Sequence, residues 1–195
     1  MKKEIHQCQC KKCAVKSIPV FTLDEGELEL LCSRSTGMEY RKGEKIFKQG
    51  TFTQNIVFIS SGIFMIHQTG PIRRDEILLI DKGPRFLGID DVFANKYHSY
   101  SATALSNASA CQIDVHGFNH LLEQNNEFAI EIVKTLSYSL VDHYERCVNK
   151  VQKQLTAMLA DSLLYFAEHL FEKDDFELPV NRVEWGQYIG TTRET

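Results

Sequence analysis

The sequence predicts an α+β fold in three parts: an N-terminal jelly roll (double-stranded β-helix), one long helix, and a C-terminal helix-turn-helix that is truncated inside its second helix. Three observations lead there. Short apolar runs (Ile46-Phe47, Ile56 to Ile59, Ile63 to Ile66, Ile77 to Ile80, Phe86-Leu87, Ala102 to Leu105, Ala110 to Ile113) are punctuated by Gly43, Gly50, Gly62, Gly70 and Gly83. Evenly spaced short strands with glycine at the turns argue for a barrel or jelly roll. Residues 127–151 then contain neither glycine nor proline. Finally, Asn181 and Glu184 have the spacing of a capping box, and Gly190 supplies a residue that takes the left-handed turn conformation without strain.

Composition narrows the class. A chain of 195 residues can bury a sizeable core, and its 43% hydrophobic and 25% charged content is that of a globular protein. No apolar run has the length of a membrane span and no secretory h-region opens the chain, so the expected location is the cytoplasm, with no membrane partner. A net charge of −4 does not advertise nucleic acid, so any such contact must be local. In that compartment the six cysteines, Cys8, Cys10, Cys13, Cys32, Cys111 and Cys147, are expected to be free, metal-bound or redox-active rather than disulfide staples.

In order, residues 1–20 form a basic, cysteine-rich tail. Cys8, Cys10 and Cys13 lie among Lys2, Lys3, Lys11, Lys12 and Lys16, and neighbouring cations favour thiolates. Three thiolates are an incomplete ligand set for zinc or an iron–sulfur cluster; a dithiol switch and an inert tail are the alternatives. Thr22 to Leu31 reads as a short helix with Thr22 as cap and Glu25 completing the box. A roll spans residues 21–125 and closes with a helical turn over Gly117–Asn125. His67 and His98 are isolated, which argues against a cupin-type metalloenzyme, and no catalysis is expected. Asp90, Asp91, Lys96 and His98 are expected to be solvated loop residues.

The long helix occupies residues 126–153, from about Glu127 to Val151. Val133, Leu136, Leu140, His143, Cys147 and Lys150 step by three and four, the spacing of a seam between two parallel helices of a homodimer. A hinge is expected near Val151–Leu155. Residues 154–195 then carry a helix from Gln154 to Phe171, strand character near Phe176-Glu177-Leu178, and the helix-turn-helix. In such a motif the start of the second helix enters the major groove, here Thr191, Thr192, Arg193 and Glu194. Arginine suits the guanine O6/N7 edge, glutamate accepts from cytosine N4, and threonine binds phosphate.

Two segments carry a resemblance. Pro179-Val180-Asn181-Arg182, Gly186 and Ile189-Gly190-Thr191-Thr192-Arg193-Glu194-Thr195 resemble the DNA-binding motif of the Crp/Fnr family of bacterial transcription regulators. Gly43-Glu44, Ile46-Phe47, Gly50 and Ile56 to Gly62 resemble the opening of that family's sensory roll. The resemblance implies a cyclic-nucleotide-binding-like roll, a dimerisation helix and a winged helix-turn-helix. It also implies that Arg193 and Glu194 contact bases of palindromic DNA with TGTGA-like half-sites, and that RNA polymerase is a partner.

The family's effector site maps onto Gly88 and Ser101 in the roll and onto His143 and Tyr144 on the long helix. Members that bind cAMP carry Gly-Glu-Leu and an arginine before Ser/Thr-Ala. Here Gly88 precedes Ile89-Asp90-Asp91, and Tyr100 precedes Ser101-Ala102, so the resemblance argues against cAMP. Phe86 to Asp90 and Ser99 to Ile113 are closer to the oxygen-sensing Fnr branch. There a cysteine at the position of Cys111 is the distant fourth ligand of an iron–sulfur cluster, which implies the set Cys8, Cys10, Cys13 and Cys111. The third N-terminal cysteine of that branch, about six residues past Cys13, is missing. His143 and Tyr144 offer haem ligation as an alternative cofactor, or simply pack in the seam. The rival from another class is a ligand-binding or protein-interaction roll whose C-terminal helices only dock.

Overall fold

The computed structural model describes residues 4–5, 18–72 and 74–191. Among the described residues, nine strands form two antiparallel sheets: β1 (Glu4–Ile5), β2 (Ser35–Tyr40), β9 (Ala108–Asp114), β4 (Asn55–Ser61) and β7 (Arg85–Leu87) in one, and β3 (Lys45–Phe47), β8 (Ser101–Ala104), β5 (Ile63–Thr69) and β6 (Asp75–Lys82) in the other. The first core lies between them, where Tyr40, Val57 and Ile59 of one sheet meet Ile46, Phe64 and Ala102 of the other. Gly62 makes the β4–β5 turn at φ 98°, and a Cβ there would meet the Ala108 backbone at 2.6 Å, so no other residue fits.

Two helices precede the roll, α1 (Ile18–Phe21) and α2 (Glu25–Ser33). The capping box of α2 sits two residues later than the sequence suggested. Asp24 accepts from the Glu27 amide (2.8 Å) and Glu27 accepts from the Asp24 amide (2.9 Å). Thr22 is unavailable, because its hydroxyl donates to the Pro19 carbonyl (2.8 Å) in the turn before. A second core forms on the outer face of the larger sheet. Ile56, Phe58 and Ile113 pack there against Leu31 of α2, Phe118 of α4 (Val115–Gln124), and Phe128 and Ile132 of α5 (Asn126–Gln152). Burying Phe118 and Phe128 contributes roughly 2–3 kcal/mol each, which fixes the start of the long helix on the roll.

Helix α5 is roughly 40 Å long. Past Ile132 it exposes Val133, Leu136, Leu140, Val141, Tyr144, Val148 and Val151. His143 and Cys147 of the expected seam are exposed as well, and Tyr144 and Val148 widen the apolar stripe beside them. Lys150 turns inward, half-buried, and donates to the Ile77 carbonyl (3.4 Å).

The helix breaks at Lys153–Gln154. Instead of one helix from Gln154 to Phe171, α6 (Leu155–Tyr165) gives way to a π-helical turn (Phe166–Phe171) closed by Glu172 in the left-handed conformation. Phe176 to Leu178 is not a strand. Nor do the last helices have a core of their own. Phe166, Leu170 and Val180, with Trp185 and Tyr188 of α7 (Arg182–Ile189), pack on Ile77 and Ile80 of β6 and on Leu105. These two isoleucines are 2% and 0% exposed, so the outer face of β6 is covered by the chain's own C-terminal helices.

Candidate functional site

The effector region predicted from Gly88 and Ser101 is a polar knot, with Gly88, Asp91, His98 and Tyr100 buried and Asp90 and Ser99 at its exposed edge. Gly88 opens α3 (Ile89–Ala94) at φ 80°, and its amide donates to the Tyr100 hydroxyl (3.0 Å). That hydroxyl donates to Asp90 Oδ1 (3.2 Å). Asp91 Oδ1 accepts from the Ser99 amide (3.1 Å) and hydroxyl (2.6 Å). Its Oδ2 lies 3.5 Å from His98 Nδ1, and neither atom has a better partner among the described residues. Phe47 stacks on the His98 ring at 4.0 Å. Ser101 is buried in β8, where its hydroxyl accepts from the Gln49 amide (3.0 Å).

This overturns the expectation that Asp91 and His98 are solvated loop residues: both are buried, on and beside a helix. Burial raises the Asp90 carboxyl above its ordinary range, and the charge of Asp91 adds to the rise. Burial pushes Asp91 the same way, but contacts from His98 and Ser99 outweigh it and hold that carboxyl below its ordinary value. Burial, with the charge of Asp90, raises the Tyr100 phenol far above its usual range. Tyr100 thus stands directly before Ser101-Ala102, where cAMP-binding members carry an arginine, with two carboxyl groups beside it rather than a cation.

Of the predicted cysteine set, Cys8, Cys10 and Cys13 lie outside the described residues. Cys111 is half-buried in β9, opposite Gly37 of β2, which in turn faces Ile5 of β1. The sheet therefore sets Ile5, Gly37 and Cys111 in one row. Cys32, at the end of α2, packs on the same apolar cluster as Cys111. It is disulfide-bonded, against the expectation for these cysteines. Strand β1 runs antiparallel to β2, so its C-terminal end faces the α2 end of β2, beside Cys32. No group of three metal-ligating side chains occurs among the described residues.

His143 and Tyr144 are both exposed on α5, and His143 Nε2 lies 3.5 Å from Cys147 Sγ one turn on. They are not brought to Gly88 and Ser101 within this one chain. At the C-terminus the expected cap is present. Asn181 accepts from the Val183 (2.9 Å) and Glu184 (3.0 Å) amides, and Glu184 accepts from the Asn181 amide (2.9 Å). Gly190 ends α7 at φ 82°. Trp185 donates to the Ser162 hydroxyl (3.0 Å), and Tyr188 stacks on Phe166. Thr191 is half-buried and its carbonyl accepts from Arg74 (3.4 Å), while Thr192, Arg193 and Glu194 lie outside the described residues. Sequence reasoning missed the burial of Asp91 with His98 and the inward turn of Lys150; these residues stand in polar stretches, so no local signal marked them.

Among the described residues, no helix is long and apolar enough to cross a membrane. Residues 37–125 match the cyclic nucleotide-binding domain family. The electron transport regulator A of Shewanella oneidensis is 24% identical over 194 residues, covering 95% of this chain and 76% of that one. The fumarate and nitrate reduction regulatory protein of Vibrio cholerae is 23% identical with the same coverage. Among solved structures, the c-di-GMP-responsive global regulator CLP of Xanthomonas campestris aligns over 88% of this chain and 87% of its own, at a TM-score of 0.72 and 16% identity. FixK2 of Bradyrhizobium japonicum aligns over 82% and 79%, at 0.71 and 17%, a likeness of fold. With a roll of the cyclic-nucleotide-binding kind, a long helix after it, and relatives named as Fnr- and FixK-type regulators, this chain is similar over most of its length to the Crp/Fnr family of transcription regulators.

Proposed function

We propose that this chain is a dimeric, cytoplasmic DNA-binding regulator. A signal received in its roll, or at its cysteines, changes how the C-terminal helices present to a palindromic operator. In this reading residues 1–20 are a sensing tail, 21–125 the sensor, 126–153 the dimerisation helix, and 154–195 the start of a winged helix-turn-helix. The observation that carries it is the capped helix α7 ending at left-handed Gly190, directly before Thr192-Arg193-Glu194. The exposed apolar stripe on α5 supports pairing, and a two-fold dimer presents two such turns to successive half-sites. RNA polymerase is the expected further partner. Arg193→Ala should cost about 1–3 kcal/mol of operator binding and relax preference at one base of a TGTGA-like half-site. Uniform weakening on all sequences would make Arg193 a phosphate contact instead.

A second reading is favoured by one observation: α7 packs on β6, as the helices of a module that only docks would. Selection from a randomised duplex pool separates the two, with sedimentation at working concentration. Enrichment of a palindrome by a dimer supports the regulator, and no enrichment by a monomer supports the docking module.

The effector is not a cyclic nucleotide in this proposal, because of Asp90, Asp91 and Tyr100. The row Ile5–Gly37–Cys111 favours signalling at Cys8, Cys10, Cys13 and Cys111 over haem at exposed His143 and Tyr144. An iron–sulfur cluster there would supply oxygen- or redox-sensitive chemistry. The disulfide at Cys32 favours thiol–disulfide chemistry instead. Anaerobic purification decides: a visible band with iron and sulfide, lost in Cys111→Ser, supports the cluster. A colourless protein with a reducible Cys32 disulfide supports the thiol switch.

A further inference from the structure

A cavity of about 290 Å³ lies where the end of α5 meets α6 and α7, on the side of α5 away from its exposed apolar stripe. Arg146, Asn149 and Lys150 of α5 and Tyr188 of α7 contribute to its wall. Its two acidic lining residues are already committed: Asp142 to Arg146 (2.7 Å) and Asp161 to Lys153. The nearest other acid acting on Lys150 is Glu76, which pairs with Arg74 (3.5 Å).

Lys150 is therefore a cation without an ion-pair partner among the described residues. The one hydrogen bond recorded for its ammonium is the long one to the Ile77 carbonyl (3.4 Å). Its stem lies across the turn after α7, where a Cβ on Gly190 would sit 3.5 Å from Lys150 Cδ. Burial lowers the Lys150 pKa, which is the response of a desolvated ammonium with too little counter-charge. Beside it the Arg146 Nε is buried with no acceptor. Burial also pushes the Tyr188 hydroxyl up to about 12, and that hydroxyl makes no hydrogen bond recorded among the described residues. The Arg146 Nε is thus buried and unmatched, which is costly, and the Lys150, Tyr188 and Asn149 donors share with it the wall of a space of ligand size.

We propose that this cavity binds a small anion of phosphate or carboxylate type. Lys150 supplies the charge, and the Arg146 Nε, the Tyr188 hydroxyl and the Asn149 amide supply further donors. The occupant bridges α5 and α7 and so staples the C-terminal helices in the docked arrangement. The site is separate from the roll and does not depend on the DNA-binding reading.

The test is thermal unfolding of the whole chain, titrated with inorganic phosphate, with acetate, and with chloride at matched ionic strength. Saturable stabilisation by phosphate or acetate beyond chloride is expected, and whichever acts identifies the phosphate or the carboxylate class. Lys150→Met, which keeps the stem and removes the charge, should weaken that binding about ten- to a hundredfold. Lys48→Met, on an exposed loop, should leave it unchanged. A response equal to that of chloride, or one retained in Lys150→Met, overturns the proposal. Should that variant fail to fold, acylation of Lys150 in the unaltered protein decides, read by mass spectrometry. Protection by the active anion supports the site, and an unchanged labelling rate rejects it.

Discussion

The polar knot at α3 and the cavity at the end of α5 are opposite solutions to burying charge. At α3 the buried acid is largely matched: Asp91 Oδ1 receives two hydrogen bonds from Ser99 and only Oδ2, 3.5 Å from His98, lacks a closer partner among the described residues, while the exposed Asp90 receives one bond from Tyr100. At the end of α5 the cations are under-matched: Lys150 has one long contact and Arg146 Nε none. A satisfied buried charge fixes a local structure, whereas an unsatisfied one makes a site that something else can complete. In this chain the acids near Gly88 and Ser101 have donors from Ser99 and Tyr100, and the larger unmet electrostatic demand lies at the junction with the C-terminal helices.

Substitutions should reveal that contrast in sign as well as size. Asp91→Ala should cost the most, about 2–3 kcal/mol in denaturant unfolding, since it strands the Ser99 donors and His98. The Asp91 carboxyl is held below its ordinary value, so its contribution is complete above the unfolded pKa of about 3.9 and is lost as pH falls through the folded value. The gap between variant and parent should therefore be full at neutral pH and shrink in acid. A gap that widens in acid would mean that Asp91 is not the stabilising partner inferred here.

Trp185→Phe should cost about 1 kcal/mol, the net value of its hydrogen bond to Ser162, and should loosen α7 from α6 without altering the roll. Amide exchange would show this as faster exchange confined to residues after 154. Lys150→Met should be smallest and opposite in sign: in buffer free of phosphate and carboxylates it should be neutral, or stabilise by under about 1 kcal/mol. Because the Lys150 pKa is lowered in the fold, the charged form is penalised at all pH values below the folded pKa. The gain should therefore be largest at neutral pH and fade as pH rises toward about 10.4. A marked loss of stability at neutral pH would show that Lys150 already has the counter-charge it needs.

The parts legible in the sequence were those fixed locally. Glycines between apolar runs gave the strands, and the Asn181–Glu184 spacing gave a cap that forms as expected. The cap of α2 was misplaced by two residues because Thr22 and Asp24 are both good cap residues, and the choice depends on a preceding turn that absorbs the threonine. Asp91 and His98 read as loop residues because their burial depends on Phe47, more than forty positions earlier in the chain. The packing of α7 on β6 was likewise invisible. Ile77 and Ile80 lie in a run that alternation alone assigns to one roll core, whereas the strand is covered on both sides. Spacing alone places Lys150 on the exposed face of α5, whereas its stem lies against Gly190 and its ammonium reaches Ile77, contacts that no local pattern encodes.

Strand β6 turns Leu79 toward the roll interior and Ile77 and Ile80 toward Trp185 and Tyr188. A tilt of that single ribbon is therefore felt on both sides at once. Whatever deforms the roll from within reaches α7 across one layer of side chains, without travelling down α5 and round the break at residues 153–154. The shortest path of contacts from the roll interior to α7 therefore crosses this one strand of eight residues.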